Sequence, residues 1–157
     1  MKIFMTLGSQ KFQFDRLLKA ADALPSGDEL FAQTGYSDYQ PKNYAYKAFL
    51  DRDEFKKVMS GCDIVIAHGG TGAIIGAVKN RKKVIAVPRL ARFGEHVDDH
   101  QLQIVEAFEH MGLILGCSDP EKLSECIEKV KTQTFREYVS NTQHFMDDID
   151  RYLNETL

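Results

Sequence analysis

Along the chain, short unbroken apolar runs alternate with stretches in which apolar residues recur at helical spacing. The run Lys2 to Leu7 ends in Gly8 and predicts a first strand. From Phe12 to Leu24, the apolar positions Phe14, Leu17, Leu18 and Ala21 predict a helix, which Pro25-Ser26-Gly27 stops. Glu29 to Thr34 reads as a second strand ended by Gly35, residues 36 to 43 as a loop, and Tyr44 to Leu50 as a third strand. Asp51 suits a helix N-cap, with Asp53 and Glu54 in the first turn, where carboxylates meet the positive end of the helix dipole; this helix runs to Ser60. Asp63 to Ala67, with the sequence DIVIA, predicts a strand buried on both faces. His68-Gly69-Gly70-Thr71-Gly72 follows it and opens a helix through Val78. Lys83 to Val87 is the next strand, closed by Pro88, and a loop from Arg89 to Glu95 leads into a helix ending near Met111, with Gly112 as its C-terminal cap. Leu113 to Leu115 reads as a last short strand, and Ser118-Asp119-Pro120-Glu121 starts another helix. From Phe135 to Leu153 the apolar spacing predicts a long amphipathic helix.

Strand and helix in alternation predict an α/β fold, a doubly wound parallel sheet covered by helices. The expectation is a single domain over residues 1–157, with 134–157 as a C-terminal amphipathic helix. Composition adds little to this picture and removes several functions. The net charge of −3 argues against bulk attraction to nucleic acid. Cys62, Cys117 and Cys126 are odd in number and irregularly spaced, which suits free thiols in a reducing cytosol. No signal peptide and no transmembrane run is expected. The basic run Asn80-Arg81-Lys82-Lys83 reads either as a solvated turn or as a surface facing an anionic membrane.

Candidate chemistry lies in three places. Gly8-Ser9-Gln10 follows the first strand, and His68-Gly69-Gly70-Thr71-Gly72 follows the DIVIA strand. In a doubly wound sheet of the common order these two strands are neighbours where the winding reverses, and ligands bind off their carboxyl ends. Glycines allow close backbone approach, and the helix opening at Thr71 offers free N–H groups to a phosphate. That combination points to a diphosphate. No lysine follows the glycines, so the Walker A pattern is absent. Gly70 and Gly72 are followed by Gly76, one residue late for the dinucleotide pattern, and the next strand ends in Val87-Pro88-Arg89 with no acidic residue for a ribose. The third place is Pro88-Arg89 followed by Gly94-Glu95-His96-Val97-Asp98-Asp99-His100-Gln101, dense in groups that hydrogen-bond sugar hydroxyls. His96 and His100, four apart with acids between, also admit a metal reading, but the sequence is not His-Glu-x-x-His and no metal is expected.

HGGTGAIIGAV, then VIAVPR and GEHVDDHQLQ, together with the opening IFMTLGSQKFQFDRLLKAAD, resemble the C-terminal donor-binding half of the family 28 glycosyltransferases, over residues 1 to 130. Within that family the chain is similar to the separate Alg13-type and PssE/EpsF-type subunits. The resemblance implies one Rossmann-like half of a GT-B fold. It also implies a UDP-sugar as donor substrate with no cofactor, and a lipid-pyrophosphate-linked sugar as acceptor in exopolysaccharide or capsule synthesis. A membrane-anchored Alg14-like or PssD-like partner would hold that acceptor and recruit this cytoplasmic subunit to the inner face of the membrane. Carried over by position, Gly8, Ser9, Gln10, His68, Gly69, Gly70, Thr71 and Gly72 would hold the diphosphate side of the donor. Asp99, His100 and Gln101 would hold the sugar or its phosphate, and Arg89 would neutralise diphosphate charge. Glu95 and His96 are the candidates for acid–base work within the chain, unless the base sits on the partner. Gly76 stands where many family members carry an acidic residue for ribose. It favours an alternative, a non-catalytic enhancer that stabilises a partner transferase. Tyr138, Phe145, Ile149 and Tyr152 form an apolar stripe that either packs on its own domain or docks the partner.

Overall fold

The computed structural model describes residues 1–139 and 142–156. Its centre is a six-stranded, all-parallel sheet: β1 (Lys2–Thr6), β2 (Glu29–Gln33), β3 (Ala45–Lys47), β4 (Ile64–His68), β5 (Lys83–Val87) and β6 (Leu115–Gly116), in the order β3-β2-β1-β4-β5-β6. The helices are α1 (Asp15–Asp22), α2 (Arg52–Gly61), α3 (Thr71–Lys79), α4 (His100–His110), α5 (Leu123–Thr132) and α6 (Thr142–Thr156). The α/β, Rossmann-like architecture expected from the alternating pattern is the one observed. β1 pairs with β4, Ile3 opposite Ile64 and Thr6 opposite Ala67, so the winding reverses between the two strands that carry the glycine loops.

Both faces of the sheet are covered, which is why its strands read as unbroken apolar runs. Ile3, Met5, Ile64, Ile66, Ile85 and Val87 point to the face covered by α1 and α5. The intervening Phe4, Val65, Ala67, Val84 and Ala86 point to the opposite face, with Ile74 and Ala77 of α3 and Ile104 and Phe108 of α4. Asp51 caps α2 as its sequence position suggested: its side chain accepts from the Glu54 N–H at 2.8 Å, and Glu54 accepts in return from the Asp51 N–H.

Several boundaries differ from expectation, each for a local reason. α1 begins at Asp15 rather than Phe12, because the Phe14 N–H is taken by the Ser37 hydroxyl and Gln13 is tied to Tyr36 and Asp38. β3 is three exposed residues at the sheet edge rather than seven. A 3-10 turn at Ala91–Phe93 ends at Gly94, which has φ 68°, and α4 starts only at His100, where the Asp98 carboxylate accepts the His100 N–H. β6 lies two residues late, at Leu115–Gly116. α6 starts at Thr142, so residues 134–139, expected to belong to that helix, lie outside any helix or strand.

The last helix packs on its own domain through Ile149, which is buried against the α3–α4 side, and Tyr152 stacks near His110. This corrects a docking role for Ile149; the side chain of Phe145 lies outside the described residues. The basic run is a turn whose lysines bind carbonyl groups: Lys82 those of Ser60 and Cys62, Lys83 that of Lys131.

Candidate functional site

The two glycine loops meet at the carboxyl edge of β1 and β4. Gly8, at φ 72°, lies against His68: a Cβ there would sit 2.5 Å from Nε2 of the imidazole. A Cβ on Gly70 would sit 2.3 Å from Cε1 of the same ring. The ring edge therefore fits only because neither neighbour has a side chain. Gly69 is equally confined, its missing Cβ 2.8 Å from that of Gln101. Gly72 and Gly76, by contrast, face open space. Gly70 is the N-cap of α3, no side chain caps that end, and its first turn holds no acidic residue. The uncapped N–H groups and the positive end of the helix dipole thus open at the mouth beside Gly8. Ser9 and Gln10 stand exposed at the tip of the β1–α1 loop, and Thr71 is half-buried at the start of α3.

Three polar residues expected to face a ligand are instead internal ties. Arg89 is 1% exposed. Its Nη2 donates to the Leu7 carbonyl at 2.6 Å, and Nη1 lies 3.4 to 3.5 Å from the carbonyls of Phe12, Gln13 and Glu95. Burial lowers its proton affinity to about 10, which leaves it charged at neutral pH. Direct neutralisation of a diphosphate by this guanidinium is corrected: its hydrogen bonds fasten the β1–α1 loop to the loop after β5. Glu95 is 3% exposed and fully engaged. It takes Nε and Nη2 of Arg16 in a bidentate pair, each at 3.0 Å, and also accepts the Leu90 N–H at 3.0 Å. A carboxylate so occupied is an anchor, and its candidacy as a base is corrected on that ground. Gln101 is 3% exposed; its Oε1 accepts the N–H groups of both Gly69 and Arg89 at 3.1 Å, and its Nε2 lies 3.3 Å from Nδ1 of His68. Its direct role on sugar hydroxyls is corrected to a clamp between the two loops.

The remaining candidates are more open. Asp99 and His100 are exposed at the start of α4; Asp99 accepts the Ala91 N–H at 2.9 Å, and His100 Nδ1 lies 3.1 Å from Oε1 of Gln103. His96 is half-buried, 3.2 Å from Asp98, with its ring 5.4 Å from that of Phe12. Among the described residues no cluster of three His, Cys, Asp or Glu side chains is placed to hold a metal ion. His68 is driven down to about 4 by burial, then by the nearby positive charge of Arg89, so it is neutral at pH 7.

The sequence reading passed over an aromatic pair. Tyr36 and Phe49, each 45% exposed, meet edge to face at 5.1 Å off the carboxyl ends of β2 and β3. They join the site through Gly35, whose φ is 61° and whose missing Cβ would sit 2.9 Å from the Gly8 carbonyl oxygen. Buried Gln33 closes this edge, donating to Thr6 and accepting the Leu50 N–H. The signal available in the sequence was Gly35 ending a strand beside an exposed-looking tyrosine. A cavity of about 980 Å³ lies beside α1, lined by Arg16, Phe93 and Pro120 among others; it shares Asp99 with the candidates above and includes no residue of either glycine loop.

Residues 2–152 match the model of the glycosyltransferase family 28 C-terminal domain. The chain belongs to that family. A relative, the UDP-N-acetylglucosamine transferase subunit ALG13 of Candida glabrata, is 38% identical over 64 residues, which are 41% of this chain and 30% of that protein. The chain therefore matches under a third of that relative's length. Among solved structures, the glycotransferase of kitacinnamycin superposes with a TM-score of 0.59 at 16% identity, over 99% of this chain and 40% of that one. MurG of Acinetobacter baumannii gives 0.56 at 20% identity, over 83% and 41%. Anabaena Alr3699/HepE, solved in complex with UDP-glucose, gives 0.55 at 14% identity, over 98% and 48%. At these identities the superpositions establish the fold: this family 28 domain has the architecture of one domain of a GT-B glycosyltransferase. No helix among the described residues is long and apolar enough to cross a membrane.

Proposed function

We propose that this domain binds a UDP-sugar and supplies the donor half of a two-part glycosyltransferase. The observation that carries this reading is the convergence of Gly8, Gly70 and the uncapped start of α3 around the His68 ring at the β1–β4 switch point. In this reading the pyrophosphate rests on the α3 N-terminus, where N–H donors and the helix dipole stabilise negative charge. The Tyr36–Phe49 ledge gives the base ring an exposed aromatic surface beside it. His68, neutral, donates a hydrogen bond rather than a full charge. Exposed Asp99 and His100 are left as the side chains on this loop that can reach a sugar.

The acceptor is a lipid-pyrophosphate-linked sugar of exopolysaccharide or capsule synthesis, presented by a membrane-anchored partner of the Alg14 or PssD kind. The alignment with an ALG13 subunit supports the pairing. Since Glu95 is tied to Arg16, the base comes from the partner or from His96. Leaving-group charge is then managed by the helix dipole, with no metal required. Calorimetry of the purified chain with UDP, UDP-glucose and ADP in EDTA tests the reading. Uridine nucleotides should bind in preference to ADP, and His68→Ala should weaken them at least tenfold. A protein that binds no UDP yet stabilises a partner transferase would be the enhancer instead, the role suggested by the bare Gly76 position.

A further inference from the structure

We propose that Gln101 is a positioning residue that fixes the proton of His68 on Nε2, so that the imidazole presents an N–H to the mouth of the crevice. The inference rests on the donor-site reading for the purpose of that N–H, but its chemistry stands on three hydrogen bonds.

The orientation of the Gln101 amide is set by its neighbours. Two backbone N–H groups, those of Gly69 and Arg89, both converge at 3.1 Å on one atom of that amide. Only the carbonyl oxygen can accept two donors; a flipped amide would point its NH₂ at both of them. Nε2 of Gln101 is therefore the atom that lies 3.3 Å from Nδ1 of His68. An amide nitrogen donates and does not accept, so Nδ1 must be the bare, accepting nitrogen of the ring. A neutral imidazole with a bare Nδ1 carries its hydrogen on Nε2. That atom lies on the side of Gly8 and Gly70, where the ring edge has room only because both lack a Cβ. Among the described residues no side chain or carbonyl is recorded as accepting from it, so the donor is left for a ligand.

Two further observations agree. Burial holds the ring in its neutral form, and the charged or titratable groups acting on it, Arg89 and His96, both oppose a second proton. Gln101 is buried, so water does not compete for its amide. One residue thereby joins three parts of the site: the loop after β4, the loop after β5 and the protonation pattern of the ring between them.

The test uses the full chain labelled with ¹⁵N in its histidines, read by long-range ¹H–¹⁵N correlation without ligand. In the wild type, His68 should show the Nε2–H tautomer, unchanged from pH 8 down to pH 5. In Gln101→Glu, one carboxylate oxygen still accepts from Gly69 and Arg89, but the other now accepts from Nδ1. His68 should then carry Nδ1–H at pH 8 and gain its second proton on acidification. UDP affinity measured on the same samples should fall about tenfold at pH 8 in this variant and recover as Nε2 is protonated, a pH dependence the wild type lacks. A purely structural clamp would not produce that recovery. A wild-type ring protonated on Nδ1, or a variant with the wild-type tautomer and pH profile, would overturn the assignment. Because the wild-type spectrum alone decides the tautomer, a variant that fails to fold does not protect the proposal. Correct tautomers in a protein that ignores UDP would overturn the donor reading and leave the positioning role standing.

Discussion

Replacing His68 by glutamine should flatten the dependence of stability on pH between 7 and 5. The imidazole is 6% exposed, and burial followed by the charge of Arg89 lowers its proton affinity from 6.5 to about 4. An unfolded chain takes up the proton near its ordinary value, whereas the folded protein refuses it until about pH 4. Between those values the unfolded state binds more protons, so this contribution is fully present above the unfolded value and is lost as pH falls toward 4. Integrating from pH 7 to pH 5 gives a loss of about 2 kcal/mol from this one group. For a domain of this size that is roughly 4–8 °C in Tm. Asp28, held below the usual carboxylate range chiefly by its hydrogen bond from Lys131, acts at lower pH and is common to both proteins. Urea denaturation of wild type and His68→Gln at the two pH values isolates the term. The wild type should lose about 2 kcal/mol more than the variant. Parallel losses, within roughly 0.5 kcal/mol, would mean that the ring is hydrated or charged, and the account of a dry, neutral His68 would fail.

Three other outcomes are expected. Glu95→Ala removes both partners of the Arg16 fork and leaves Arg89 without nearby negative charge. It should lower stability by about 3 kcal/mol in thermal or chemical melts, and a change under about 1 kcal/mol would show that the pair is not structural. Gly76→Ala places a methyl group in open space within α3 and should raise stability by about 0.5–1 kcal/mol; a lower Tm would indicate backbone demands the geometry does not show. Cys126 is half-buried, and its proximity to Cys117 holds its thiol below the ordinary value, while Cys117 itself is pushed up and, like Cys62, buried. Iodoacetamide followed by peptide mass spectrometry should find Cys126 modified first, and prior modification of Cys62 would contradict this.

The fold was legible because the strands are buried on both faces and so carry unbroken apolar runs, DIVIA above all, while the helices keep their period. The meeting of Gly8 with His68 to Gly72 followed from strand order alone. What the sequence hid was the direction of polar side chains next to those loops. Arg89, Glu95 and Gln101 look like ligand-binding groups because they are polar and adjacent to glycines. Yet loops packed this tightly leave backbone carbonyls and N–H groups below the surface: Gln101 accepts from two of those N–H groups, Arg89 donates to several of the carbonyls, and Glu95 accepts the Leu90 N–H. A one-dimensional pattern does not record whether a polar group is turned outward to a ligand or inward to its own backbone. Arg89 did carry a hint: it follows the unbroken apolar run Val84 to Val87 and Pro88, six residues from a compensating Glu95. The late start of α4 was hidden for a related reason, since Asp98 holds the His100 N–H and delays the helix by several residues. The Tyr36–Phe49 ledge depends on a contact between a loop and a strand end, which no local period encodes.

The central claim is that a pyrophosphate rests on the start of α3, beside Gly8 and His68. Titration of UDP into ¹⁵N-labelled protein, followed by amide correlation spectra, tests it most directly. The amides of Gly8, Gly70, Thr71 and Gly72 should move together with a single saturation curve, and those around Phe93 and Pro120 in the cavity beside α1 should stay still. Shifts confined to that cavity, or spectra unchanged at millimolar UDP, would contradict the account.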